Sequence, residues 1–115
     1  MTPGECVQRA DALRPNACAE REKAQWVLEL EGELERDFFA RYEDWTPPEK
    51  DPGRAGTLLA SGPFEELYVF RLLARLELAD QEWESYNAYN ALANQLLSEF
   101  KKAWHRTHTR KTAGR

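Results

Sequence analysis

The sequence predicts an all-α protein: one four-helix domain, made of a short N-terminal helix and three longer helices, with a long Pro/Gly-rich loop and a basic C-terminal tail. Three observations predict it. Apolar residues recur three and four positions apart in long stretches, the helical period. Proline and glycine gather between those stretches rather than inside them. No segment alternates apolar and polar residues, and β-branched residues are scarce, so no strand is expected. The 115 residues amount to a single domain, large enough to bury a core without disulfides or metals.

Thr2-Pro3-Gly4-Glu5 begins the first helix. Thr2 caps, Pro3 suits the first helical position, and Glu5 completes a capping box. Pro15 ends this helix after about Leu13. Asn16 is expected to cap the second helix, whose apolar stripe is Val27, Leu30, Leu34 and Phe38, flanked by Trp26, Phe39 and Tyr42. Gly32 lies inside that helix and costs about 1 kcal/mol relative to alanine, which implies a close helix–helix crossing at that point. Residues 44–56 hold three prolines and two glycines and form a loop. Ser61-Gly62-Pro63 opens the third helix. Phe64, Leu67, Tyr68, Phe70, Leu72, Leu73, Leu76 and Leu78 lie on more than one of its sides, the mark of a buried central helix. Arg71 and Arg75 occupy its remaining polar strip. Asp80 is expected to cap a fourth helix from about Gln81 to Arg106, with a stripe through Trp83, Tyr86, Asn90, Ala93, Leu97, Phe100 and Trp104. The helical domain thus spans 1–106, and 107–115 is a basic tail. Trp26, Leu30, Phe64, Leu67, Tyr86 and Trp104 are read as core.

The net charge of −4 hides an asymmetry. Residues 99–115 carry Lys101, Lys102, Arg106, Arg110, Lys111 and Arg115 against Glu99, a balance of +5, which leaves −9 on residues 1–98. An acidic body argues against a surface that grips nucleic acid broadly. The basic end suits phosphate or an acidic neighbour.

The motifs of catalysis are missing. No glycine-rich stretch leads into a Lys-Ser or Lys-Thr pair. Ser61, Ser85 and Ser98 lack a local nucleophile motif. Glu65 and Glu66 read as the acidic first turn of a helix rather than a catalytic pair. His105 and His108 are three apart, but no cysteine or carboxylate stands near them to complete a metal site. Cys6 and Cys18 form neither a CxxC nor a ligand cluster and read as reduced thiols. No stretch approaches the length of a membrane span, and the N-terminus lacks the layout of a signal peptide. The expectation is a protein that is not an enzyme and needs no cofactor.

Three stretches resemble one family. Asn16 followed by Lys23-Ala24-Gln25-Trp26-Val27-Leu28-Glu29-Leu30-Glu31-Gly32 is similar to the long second helix of tailed-bacteriophage head–tail connector proteins (adaptor or head-completion proteins). Leu58-Leu59-Ala60 followed by Pro63-Phe64-Glu65-Glu66-Leu67-Tyr68 resembles the way those proteins lead into their third helix. Glu84-Ser85-Tyr86-Asn87, then Asn94, Phe100, Trp104 and Arg106-Thr107-His108, resembles their last helix. Ala88 departs from the family, which often has a second Asn there, and the 44–56 loop and the tail are longer or more charged than is typical.

The resemblance implies a structural virion protein, made in the bacterial host cytoplasm and residing in the neck at the head–tail junction. Its copies would form a ring, dodecameric in such families, beneath the portal protein, extending the DNA channel and offering a platform to a tail or stopper protein. Packaged DNA would touch it without sequence preference, and no membrane or small-molecule substrate would be involved. Arg106, Arg110, Lys111 and Arg115 are the expected portal or DNA contacts. Trp45, Pro47, Pro48 and Arg54 are the expected contacts to a neighbour or the tail. Two other readings stand beside this one: a small helical adaptor or inhibitor of a single phage or host protein, and a nucleic-acid-binding module using residues 101–115.

Overall fold

The computed structural model describes residues 1–42, 57–60 and 62–107. They form four α-helices, α1 (Pro3–Leu13), α2 (Glu20–Asp37), α3 (Glu66–Ala79) and α4 (Trp83–Thr107), with 3₁₀ turns at Phe39–Arg41 and Gly62–Phe64. Among the described residues there is no strand. No helix among the described residues is long and apolar enough to cross a membrane.

The start of α1 follows the sequence reading. The Glu5 backbone N–H donates to the Thr2 hydroxyl at 3.2 Å, and the Thr2 N–H donates to the Glu5 carboxylate at 3.3 Å, with Pro3 in the first turn. Two of the amides that a helix start leaves without partners are satisfied in this way. The helix buries Cys6, Val7 and Ala10, and packs on both α2 and α3. Burial pushes the Cys6 thiol up to about 12, with Glu66 adding to the shift and Arg9 opposing it, so this sulfur is an inert core group. Cys6 and Cys18 are both free.

The expected Asn16 cap is corrected: α2 starts at Glu20, with Ala19 before it. The Asn16 side chain is committed elsewhere. Its Oδ1 accepts from the Cys18 N–H at 3.1 Å and from Lys23 Nζ at 3.1 Å. Its Nδ2 donates to Asp11 Oδ1 at 2.9 Å and to the Arg14 carbonyl at 3.0 Å. An asparagine that bonds backbone two residues onward makes a turn, and the helix begins after it. Lys23 is only 3% exposed, and its ammonium lies 2.7 Å from Asp11 Oδ1. A buried ammonium is tolerated only when paired and hydrogen-bonded, and this network supplies both. Burial pushes the Asp11 carboxyl up, but hydrogen bonds from Lys23 and Asn16 and the Lys23 charge outweigh it, leaving Asp11 below its ordinary value.

Helix α3 is the central helix that its composition predicts. Leu67, Tyr68, Val69, Leu72, Leu73, Ala74, Leu76 and Glu77 are all buried. Helix α4 lies along one side of it, while α1 and α2 cover others. Each fully buried Leu contributes about 1.5–3 kcal/mol relative to exposure, so Leu67, Leu73 and Leu76 carry much of this packing. Arg14, just beyond α1, ties down the far end of α3 through Glu77 and Asp80. The hydrogen bond to Asp80 leads the causes that hold its guanidinium above its ordinary value, against a smaller opposing effect of burial.

Both expected starts for the later helices move downstream. Gly62 has φ +60°, a left-handed conformation open to glycine, so residues 62–64 form a turn and α3 begins at Glu66. Asp80 closes α3 rather than capping α4. Gln81 then takes φ +59°, and α4 begins at Trp83. A left-handed glutamine is uncommon and marks a sharp corner. Gly32 is corrected as well: a Cβ built there meets nothing within 4 Å, so no crossing among the described residues requires the glycine.

Aromatic side chains fasten α4 onto the end of α2. Phe39 meets Trp104 edge-on at 4.7 Å and Phe100 at 5.6 Å, and Phe64 meets Phe100 at 5.4 Å. Phe38 and Tyr42 lie 5.2 Å apart in the same cluster. Edge-to-face pairs of this kind add about 0.5–1.5 kcal/mol each beyond area burial.

Gly32→Ala is expected to stabilise the chain by about 1 kcal/mol, since alanine is the better helix former and nothing obstructs its methyl; chemical denaturation measures it, and a loss of stability would contradict the open surroundings. A carboxyl held below its unfolded value contributes stability that is full above that unfolded value and is lost as pH falls through the folded one. Asp11→Asn should therefore flatten the acid side of the stability profile below about pH 4, read from melting temperature against pH, and an unchanged acid limb would count against the Lys23–Asp11–Asn16 network.

Candidate functional site

Helices α2 and α4 both pack on α3, and the three helices line a groove of about 380 Å³. What fixes α2 against α3, and so sets the groove's first wall, is a buried polar knot. Glu31 points inward from α2 and is 8% exposed. Its Oε2 accepts the Leu59 N–H at 2.6 Å, and its Oε1 accepts the Tyr68 hydroxyl at 2.8 Å. The Tyr68 oxygen in turn accepts the Ala60 N–H at 2.9 Å. The Met1 carbonyl takes the Leu58 N–H at 2.8 Å. The residues before α3 thus enter the core, Leu58 and Ala60 both buried, with three successive amides satisfied. Burial, then the nearby Glu31 charge, drive the Tyr68 phenol above its ordinary value, so it remains a hydroxyl that donates to Glu31.

The groove is apolar with charged edges. Trp26, Leu30, Leu34 and Phe38 of α2 line one side, Leu72 and Leu78 of α3 the floor, and Tyr86 and Leu97 of α4 the other side. Glu29, Glu33 and Asp37 follow one another by single turns along the α2 rim. Arg71, Arg75 and Lys101 stand on the α3 and α4 side. The Arg75 guanidinium lies 5.0 Å over the Trp26 ring, and the Lys101 ammonium 5.4 Å over the Phe38 ring, both within cation–π range. Arg71 donates to Asn90 Oδ1 at 2.7 Å and to Asn94 Oδ1. Burial pulls Arg71 below the ordinary arginine value, with Tyr86 and Glu33 acting against it. Among the described residues, none of these three cations forms an ion pair.

Of the residues read as core, Leu67 is fully buried. Trp26, Leu30, Phe64 and Trp104 are half-buried and pack against the core. Tyr86 is half-buried and lines the groove. Trp83, placed by its spacing on the apolar stripe of α4, stands 58% exposed at the α3–α4 corner, with its ring edge-on to Tyr86. Of the expected portal or DNA contacts, Arg106 is exposed in the last turn of α4; Arg110, Lys111 and Arg115 lie outside the described residues. So do the expected neighbour contacts Trp45, Pro47, Pro48 and Arg54, and His108.

Two features escaped the sequence reading. Glu31 was one acid among many on α2, although it falls on the stripe between Val27 and Leu34, four residues after one and three before the other. Arg71 and Arg75 read only as the remaining polar strip of the third helix, although two cations one turn apart on an otherwise apolar helix already pointed to a sheltered site. Among the described residues no group of three or more His, Cys, Asp or Glu is placed to hold a metal ion. The groove combines apolar walls, aromatic side chains and a few fixed charges. Comparison of the chain with protein-family models, with curated proteins and with solved structures finds no match in any of the three.

Tyr68→Phe keeps the ring and removes the shared hydroxyl, leaving the Ala60 N–H and one Glu31 oxygen without that partner. A loss of about 1–3 kcal/mol is expected in urea unfolding with the helical content of the fold retained; an unchanged midpoint would show that the knot contributes nothing.

Proposed function

We propose that the chain is a structural subunit of a bacteriophage neck: one copy of a homo-oligomeric ring bound beneath the portal, joining head to tail and prolonging the DNA channel, with no catalytic role. One observation carries the reading. The stretches that resemble head–tail connectors run in order along nearly the whole chain, and two of them meet in the core. Glu31 comes from the first stretch, Leu59, Ala60 and Tyr68 from the second, and hydrogen bonds of 2.6–2.9 Å join them. Residues shared with a family for the sake of its fold are expected to sit at such a joint. The all-α domain with an apolar groove left open supports a subunit that finishes its burial against other chains.

In this reading the acidic body lets DNA pass without adhering, and the basic end beginning at Lys101 and Arg106 reaches toward the portal or DNA, with a tail or stopper protein on the opposite side. The groove also favours a second reading, a helical adaptor or inhibitor that seats one segment of a single phage or host protein.

The deciding measurement is electron microscopy of the purified chain mixed with portal protein from a tailed phage whose head genes adjoin its own. A ring of density below the portal is expected, with Arg106→Glu weakening it and rising salt weakening it further. A chain that ignores the portal and forms a one-to-one complex with a non-capsid protein would replace this reading with the adaptor.

A further inference from the structure

We infer that the groove between α2 and α4 receives the α3–α4 corner of a second copy of this chain, with Trp83 as the inserted side chain. This rests on the reading that copies associate, and it names the surface they use.

The corner is built as a protrusion. The left-handed Gln81 turns the chain sharply between two helices, and the next three residues, Glu82, Trp83 and Glu84, are all exposed. A tryptophan 58% exposed between two carboxylates is poorly accounted for by an isolated chain: its indole gains little where it stands, while Trp is the residue most enriched at the centres of protein interfaces. Glu82 and Glu84 form no ion pair among the described residues.

The groove offers the complement. Its volume of about 380 Å³ is ample for an indole and its flanking side chains, and Trp26 and Leu30 supply an apolar wall. Arg71 is half-buried on its floor, oriented by two asparagine oxygens rather than by a carboxylate, and Arg75 stands one turn away. Neither arginine forms a salt bridge among the described residues, although Glu33 acts on Arg71 electrostatically; both face an opening, and the corner of the same chain carries two acids that form no ion pair among the described residues. The carboxylates Glu29, Glu33 and Asp37 on the α2 rim repel the incoming acids and direct them to the α3 side, where the arginines are. An arginine fork already held in place binds a carboxylate with little further ordering. Because corner and groove are different patches, an unreciprocated contact passes from copy to copy, the head-to-tail pattern from which rings close.

The test uses two full-length, differently tagged copies in a Cys18→Ala background, one carrying Trp83→Cys and the other Glu33→Cys, both at exposed positions, mixed and treated with a short bis-maleimide. Because removing Trp83 also removes an anchor, Glu84→Cys is run beside it. A mixed cross-linked product between the two tags is expected, suppressed by adding Arg71→Glu to the groove copy, and Trp83→Ala alone is expected to weaken self-association in sedimentation about tenfold or more. Self-association or portal binding without the mixed product from either corner cysteine overturns the inference and leaves the connector reading standing. A mixed product from a chain that never engages the portal overturns the connector reading and supports the contact.

Discussion

The fold depends on the rule that backbone amides taken out of water need partners. The short run 58–60 must cross the core to reach α3, and in doing so it carries three N–H groups inward. Two of them find Glu31 and Tyr68, side chains from the two helices that the run lies between, and the third finds the Met1 carbonyl. A buried carboxylate is costly alone and stable when its oxygens are filled. Here it accepts an amide and a phenol, so the same group that would destabilise an apolar core fixes the spacing of α2 and α3. Everything built on that spacing, including the groove, inherits it.

The second organising feature is the unequal use of α3. It packs closely along α4 and is capped at its end by Arg14 from the α1 side, but it shares less of its length with α2. The aromatic cluster of Phe38, Phe39, Phe100 and Trp104 pins α4 to α2 at one end only. The groove lies between these two helices, with α3 as its floor. Its cations stand on the α3 and α4 side and its acids on the α2 rim, close enough for Glu33 to act on Arg71 electrostatically. Elsewhere in the fold the buried Lys23 ammonium is held by Asp11 and Asn16, which are themselves only partly buried.

The corner between α3 and α4 shows how local geometry shapes a surface. Asp80 ends one helix, Gln81 reverses the chain, and Trp83 begins the next helix. With only three residues between the helices, the first turn of α4 sits at a tight corner, and Trp83 stays outside although its spacing belongs to the apolar face. The connector reading turns that exposed ring, and the open groove, into parts of one assembly.

The sequence by itself determined the helical class, the identity of α1 down to its capping box, α3 as the central helix, and the apolar stripes that pack the core. These are set by interactions within a few residues: capping hydrogen bonds, the 3.6-residue period, and the restrictions of Pro3 and Pro15. Tertiary structure alone decided that Asn16 makes a turn instead of a cap, that Gly32 faces open space, that Glu31 is a core residue while Glu29 and Glu33 are not, and that Arg71 and Arg75 line a groove. The outcomes for Glu31 and Arg71 depend on partners distant in sequence, Tyr68 and Leu59 for Glu31, Asn90 and Asn94 for Arg71, and that for Asn16 on the network joining Asp11 to Lys23. The burial and charge of a side chain are properties of the assembled neighbours, which periodicity along one helix does not encode.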